Sequence, residues 1–241
     1  MNVLSLFTGI GGLDLGLQRA GMTIVGQVEI DAYCQAVLTK HWPEVPRHDD
    51  VRTAPEWWRR EPRPAIRVVA GGFPCQPFSP AGLQCGIADE RWGWPWFADA
   101  IRAIRPDYVI VENVPDILRH PDAFGWILAD LADLGFDADW CVLSACSMGA
   151  PHRRRRLFLV AYPAGTGLQG LHETQRRINL QSAQAAVWRD WPTEPAVARV
   201  ADGLPRGLVK DEIKGLGNAV VPQVAEYVGR LLLGHARVGA A

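Results

Sequence analysis

One cysteine of this chain stands between two prolines, in the run Gly71-Gly72-Phe73-Pro74-Cys75-Gln76-Pro77-Phe78-Ser79. It follows the apolar segment Ile66–Ala70, which puts a thiol at the carboxyl end of a strand, in a loop stiffened by its prolines. Cysteine sulfur is intrinsically nucleophilic even with a pKa near ~8.5, so the position suits covalent catalysis. A second apolar run ends in Val111-Glu112-Asn113-Val114, where a carboxyl group projects from the same edge of the sheet and can face the same pocket. A third motif, Pro151-His152-Arg153-Arg154-Arg155-Arg156, precedes the apolar run Leu157–Val160. Strand alternation sends Arg154 and Arg156 to one side and Arg153 and Arg155 to the other, so one pair can serve a pocket and the other phosphates.

A nucleotide-type crevice accompanies these groups. Phe7-Thr8-Gly9-Ile10-Gly11-Gly12-Leu13 joins the strand Val3–Phe7 to a helix, and glycines in such a turn allow the backbone to approach a ligand closely. Glu29 and Asp31 follow the second strand, where a carboxylate can accept from ribose hydroxyls. A dinucleotide-dependent oxidoreductase fits the loop and the acid equally well. It has no use, however, for a thiol at the neighbouring strand end.

The elements that must position these residues alternate strand with helix. Strands are read at Val3–Phe7, Thr23–Val28, Ile66–Ala70, Tyr108–Glu112, Asp139–Leu143 and Leu157–Val160. Helices are read from Leu13 to near Gly21, over Asp31–His41, Trp96–Ile104, Trp126–Leu134 and roughly Val221–Leu233. This alternation predicts an α/β fold, a doubly wound and mostly parallel sheet covered by helices. Between Pro163 and Lys214 the periodicity dissolves into Gly, Pro, Gln and Arg with scattered Trp, which predicts a small irregular subdomain.

The 241 residues, 48% apolar and 21% charged, are enough for a self-sufficient core. No apolar stretch approaches the ~20 residues of a membrane span, and the N-terminal residues read as a strand rather than a leader, so a cytoplasmic protein with no membrane association is expected. Five cysteines, an odd number without a CxxC pair, argue against a disulfide framework and against a metal site. The net charge of −1 hides an asymmetry: residues 1–146 carry 12 Lys+Arg against 19 Asp+Glu, and residues 147–241 carry 13 against 7, a difference of +6. That sign favours a polyanionic partner.

Taken in order, the motifs resemble those of the cytosine-5 DNA methyltransferases. Phe7, Thr8, Gly9, Ile10, Gly11, Gly12 and Leu13 match the S-adenosylmethionine loop, Glu29 with Ile30 the ribose-binding acid and its neighbour, and Asp50 with Val51 the adenine-binding acid. Gly72-Phe73-Pro74-Cys75-Gln76 is similar to the catalytic loop, Glu112-Asn113-Val114 to the acid motif, and Arg154 and Arg156 to two arginines near the target base. Gly217-Asn218-Ala219-Val220-Val221-Pro222 resembles the last motif, which returns to the cofactor pocket. The resemblance implies a Rossmann-like S-adenosylmethionine-dependent methyltransferase fold, with residues 1–162 and 215–241 forming the catalytic and cofactor-binding domain and 163–214 a reduced target-recognition region.

It implies further that Cys75 adds to carbon 6 of a flipped-out cytosine in double-stranded DNA, that Glu112 holds the exocyclic amine and ring nitrogen 3, and that Arg156 holds the carbonyl oxygen while Arg154 orients the pocket. Pro74, Asn218, Ala219 and Val220 join the cofactor set. Gln76, Ser79 and Gln84 lie in the loop that fills the vacated stack, with Gly82 and Gly86 as hinges, and Arg153 and Arg155 contact nucleic acid. The expected protein is a monomer, either an orphan enzyme or the modification half of a restriction pair with a cognate endonuclease. Methylation of tRNA and a non-catalytic nucleic-acid-binding role are the alternatives; the presence of both Cys75 and Glu112 argues against the latter.

Three departures stand out. His152 replaces the family's usual Gln before the arginine pair, and Ile30 an aromatic residue beside adenine. About fifty residues separate the last strand from Gly217, so base-edge contacts should be few and the recognised site short or degenerate. Within that stretch Arg176-Arg177, Trp188-Arg189-Asp190-Trp191 and Arg199 mark the region expected to contact DNA, although tryptophans are more often core residues, and the family's penultimate motif is not identified there.

Overall fold

Runs such as Val-Val-Ala-Gly and Tyr-Val-Ile-Val-Glu-Asn suit strands buried on both faces, which only a sheet covered by helices on each side provides. The computed structural model describes residues 1–74, 92–167 and 210–238. Its strands are β1 (Asn2–Leu6), β2 (Thr23–Val28), β3 (Arg47–His48), β4 (Val68–Gly71), β5 (Tyr108–Asn113), β6 (Phe136–Ser144) and β7 (Arg155–Pro163). They form a seven-stranded sheet in the order β3-β2-β1-β4-β5-β7-β6. All pairings among β1 to β5 are parallel, whereas β7 runs antiparallel to both β5 and β6. The chain moves outward from β1 to β3 and then returns to the other side of β1 as β4. The ends of β1 and β4 therefore flank the switch point, where open α/β sheets have their crevice.

The described α-helices are α1 (Gly12–Arg19), α2 (Ala32–His41), α3 (Ala54–Arg59), α4 (Trp94–Ile104), α5 (Pro121–Asp133), α6 (Lys210–Asn218) and α7 (Pro222–Val238). Alternation along the strands divides the core in two. Leu4, Leu6, Val69, Val109 and Val111 pack with Trp58, Phe97, Ile101, Ile127 and Leu131 of α3, α4 and α5. Val3, Val68, Ala70 and Ile110 pack with Leu13 and Leu17 of α1 and with Val224, Ala225, Val228 and Leu232 of α7.

The expected elements are present with shifted ends. The helix read from Trp126 begins at Pro121, whose fixed φ suits a first helical turn. The strand read as Asp139–Leu143 is the longer β6, and the one read as Ile66–Ala70 is Val68–Gly71. β3 and α3 were not expected, because two residues and six residues are too short for periodicity to register. Helix α6 crosses the boundary drawn at residue 214, and most of the stretch read as irregular lies outside the described residues. Among the described residues no helix is long and apolar enough to cross a membrane.

The contact between α1 and α7 is made almost backbone to backbone. A Cβ on Gly12 would lie 2.3 Å from Val220 O, and one on Gly16 would lie 2.3 Å from Pro222 O and 2.4 Å from Ala225 Cβ. One helical turn farther on, a Cβ on Gly229 would lie 2.8 Å from Ala20 Cβ. Positions 12, 16 and 20 share one face of α1, so the seam continues the cofactor-type loop into the helix. Gly16→Ala is therefore expected to cost about 1–3 kcal/mol through forced separation of the two helices. For a chain of this size that is a fall of several degrees in melting temperature, measurable by thermal denaturation.

Candidate active site

The loop after β1 turns sharply: Phe7, Gly9 and Gly11 all have positive φ, 51°, 58° and 84°. Thr8 N donates to Val28 O at 3.1 Å and Thr8 Oγ1 bridges to Ser5 O and Val28 O, which ties the loop to the end of β2. There Glu29, 9% exposed, accepts from Gly9 N at 2.6 Å through one carboxylate oxygen and from Asp31 N at 2.8 Å through the other. Each oxygen keeps an unused lone pair. A Cβ on Gly9 would meet nothing within 4 Å, so open space lies over the loop. Beside it Ile30 is 74% exposed, a large apolar side chain with one face uncovered. Open space, a fixed carboxylate and an apolar platform together fit a nucleoside.

The remaining cofactor candidates gather along this edge. Leu13 is buried, Ile10 Cγ2 lies 3.1 Å from where a Cβ on Gly215 would stand, and Gly12 meets Val220. Asp31 caps α2 by accepting from Tyr33 N and Cys34 N, and Lys214 Nζ reaches it at 2.5 Å. The ammonium holds the Asp31 carboxyl below the usual carboxylate range. Asp50 caps the short turn 51–53 and is engaged by Arg52, whose guanidinium keeps it in the charged form; Val51 is buried. Asn218, Ala219 and Val220 form the link from α6 into α7.

At the end of β5 lies Glu112, only 7% exposed. Gly72 makes room for it, since a Cβ there would stand 2.5 Å from Glu112 Oε2. Arg156 Nε meets Glu112 Oε1 at 3.0 Å. Burial dominates the group's acidity and pushes its pKa up to about 7, against the opposing pull of Arg156 and Arg154. Asn113, also buried, accepts from Val114 N and donates from Nδ2 to Phe73 O at 3.3 Å. That bond ties the segment leading into Pro74 to the strand that carries Glu112. Below it Phe73 meets Trp92 at 5.3 Å and Trp94 at 5.9 Å between ring centroids, so an aromatic cluster holds both flanks of residues 75–91. Cys75, Gln76, Ser79 and Gln84 lie outside the described residues.

The arginine run alternates as expected, with Arg153 and Arg155 exposed and Arg154 and Arg156 partly buried. The guanidinium of Arg154 is turned to the carboxyl end of α6: it donates to Leu216 O at 2.6 Å, Gly217 O at 2.8 Å and Ala219 O at 2.6 Å. A cation there satisfies carbonyls left over at a helix end. Arg154 thus clamps the Leu216–Ala219 carbonyls to the start of β7. Sequence reasoning missed Gly72, Asn113 and Lys214 in these positions. The doubled glycine before Phe73 was the only signal available, because the other partners are far apart in the chain.

Residues 1–202 match the family model described as C-5 cytosine-specific DNA methylase. The chain is 36% identical over 168 residues to Type II methyltransferase M2.BsuMI of Bacillus subtilis, covering 67% of this chain and 42% of that protein. It is 37% identical over 161 residues to Type II methyltransferase M.AplI of Arthrospira platensis, covering 66% and 45% respectively. It therefore spans less than half the length of either relative. Among solved structures, an E. coli prophage protein described as a DNA modification methyltransferase superposes with a TM-score of 0.58 at 26% identity, covering 68% of this chain and 47% of that one. The S. pombe Dnmt2 methyltransferase shares the fold, with a TM-score of 0.59 at 20% identity over 73% of this chain and 55% of its own. With the match extending over residues 1–202 of 241, the chain belongs to the C-5 cytosine-specific DNA methylase family.

Proposed function

We propose that the chain transfers a methyl group from S-adenosylmethionine to carbon 5 of cytosine in double-stranded DNA. The observation that carries this reading is the buried Glu112, set between Gly72 and Arg156 on the edge that also bears the Gly loop and Glu29. An acid with a pKa near 7 is poised to share a proton at neutral pH, which a solvated carboxylate does not do.

Glu29 would hold the ribose, Ile30 and Val51 the base, and Gly9 through Leu13 with Asn218, Ala219 and Val220 the rest of the cofactor. When bound, S-adenosylmethionine supplies an electrophilic methyl group on a sulfonium. Cytosine carbon 5 is a weak nucleophile, so the Cys75 thiolate adds to carbon 6 and the displaced electron pair moves toward nitrogen 3, where the Glu112 proton supports it. Carbon 5 would then take the methyl group as its bond to the sulfonium sulfur breaks and S-adenosylhomocysteine leaves, with the nitrogen 3 proton returning to Glu112. Loss of the carbon 5 proton to water, with departure of the Cys75 sulfur from carbon 6, restores the ring. Arg156 serves the base's carbonyl oxygen as a charge-assisted donor once it shares Glu112 with the base. Carbon 6 is inaccessible in a stacked duplex, so the base is flipped out, with Gln76, Ser79 and Gln84 filling the gap and Arg153 and Arg155 on phosphates. The names of the two Type II relatives favour a place in a restriction pair.

Three outcomes follow. Duplex DNA containing 5-fluorocytosine traps the wild-type chain as a covalent adduct on a denaturing gel, because the final proton loss is blocked, and Cys75→Ser forms none. An adduct on RNA but not on DNA would overturn the substrate assignment. The second concerns pH: Glu112 loses its proton as pH rises through about 7, so its contribution is present below that value and kcat/KM declines above it. Glu112→Gln abolishes that limb. Third, Gly72→Ala displaces the Glu112 carboxylate and lowers the methyl-transfer rate by roughly 10²-fold or more, while binding of S-adenosylhomocysteine measured by calorimetry stays unchanged.

A further inference from the structure

Glu29 and Asp50 follow neighbouring strand ends. Val28 is paired with His48, and Glu29 N donates to His48 O at 2.9 Å. A nucleoside whose ribose reaches Glu29 therefore extends its base toward Asp50 and the buried Val51, and an exocyclic amine arriving there needs an acceptor. The acceptor is already engaged. Asp50 Oδ1 takes Arg52 N at 2.9 Å and Arg52 Nε at 2.9 Å, and Oδ2 takes Nε at 3.0 Å and Nη2 at 2.6 Å. A carboxylate offers about four acceptor directions, and three N–H groups of one residue, the backbone N, Nε and Nη2 of Arg52, take most of them. Arg52 Cζ also lies 5.8 Å from the centroid of the Trp96 ring, a second surface for the guanidinium. The Arg52 side chain is nevertheless 59% exposed, so moving it off costs little.

We propose that Arg52 is an intramolecular competitor for Asp50, occupying the acceptor sites that the adenine amine of the cofactor uses and so setting cofactor affinity. The inference rests on the S-adenosylmethionine reading above. It predicts an unusual sign: removing a residue beside the pocket strengthens binding, where loss of a structural or contacting residue weakens it.

The test is calorimetric titration of the full chain with S-adenosylhomocysteine, which needs no turnover and carries no sulfonium charge to complicate the comparison. Arg52→Ala tightens binding about two- to fivefold, the range of a partly exposed ion pair, and Arg52→Lys, which lacks the fork, falls between. Raising the salt concentration moves the wild type toward the Arg52→Ala value, since screening weakens the competing pair. Asp50→Ala weakens binding, and in that background Arg52→Ala has no effect, as a double-mutant cycle requires of a competitor acting through Asp50. Unchanged or weaker binding by Arg52→Ala, with Asp50→Ala still impaired, overturns the competition and leaves Asp50 as a cofactor contact. Full affinity in Asp50→Ala overturns it by removing Asp50 from the pocket. A wild-type chain that does not bind S-adenosylhomocysteine overturns the cofactor reading and the competition with it.

Discussion

Removing a carboxyl group from water is costly unless it is neutral or held by donors, and the surroundings of Glu112 answer that cost in both ways. Arg156 comes from β7, the strand that runs against the others, and meets the acid from the side. Gly72 comes from the end of β4 and leaves the space the carboxylate fills. Asn113, next in the chain, fastens the segment leading to Cys75. The antiparallel β7 has a purpose in this light, since antiparallel pairing opposes Glu112 to Phe158 and so brings the arginines that precede the apolar run to the acid's edge.

The cofactor side depends on a different means of approach. α1 and α7 approach closely at Gly12, Gly16 and Gly229 while Leu13 and Leu17 pack beside that seam on Val224, Val228 and Leu232, which lets the Gly217–Val220 segment lie against the loop that begins α1. Arg154 holds that segment from the other side by its carbonyls, and Lys214 by its charge on Asp31. The last motif is thus fixed at three points, each on a different element.

Much of this was legible in the sequence because it is local. A glycine-rich turn after an apolar run, an acid after the next strand and alternation through Arg153–Arg156 all follow from spacing alone, and their exposure pattern agrees. What was not legible depends on partners distant in the chain. Arg154 reads as a residue that orients the pocket, but the sequence does not say through which partners, and only the fold turns it to carbonyls more than sixty residues away. Gly72 reads as a turn residue, whereas its lack of a side chain matters through Glu112, forty residues on. Asp50 reads as an open acid because nothing in a sequence says whether Arg52, two positions later, points toward it. β3 contains two residues, too few to carry any pattern, yet its pairing of His48 with Val28 brings the turn that holds Asp50 beside the strand end that carries Glu29.

The α1–α7 seam also has a consequence for the order in which the protein is made. Gly12 and Val220 are 208 positions apart (220 − 12), and between them lies nearly all the rest of the fold. At ~5–20 residues per second, roughly 10–40 s pass on the ribosome between synthesis of the cofactor loop and arrival of the segment that rests on it. During that interval the apolar face of α1, with Leu13 and Leu17, lacks its cover from Val224, Val228 and Leu232. A nascent chain therefore displays this apolar face uncovered until α7 has been made and has docked.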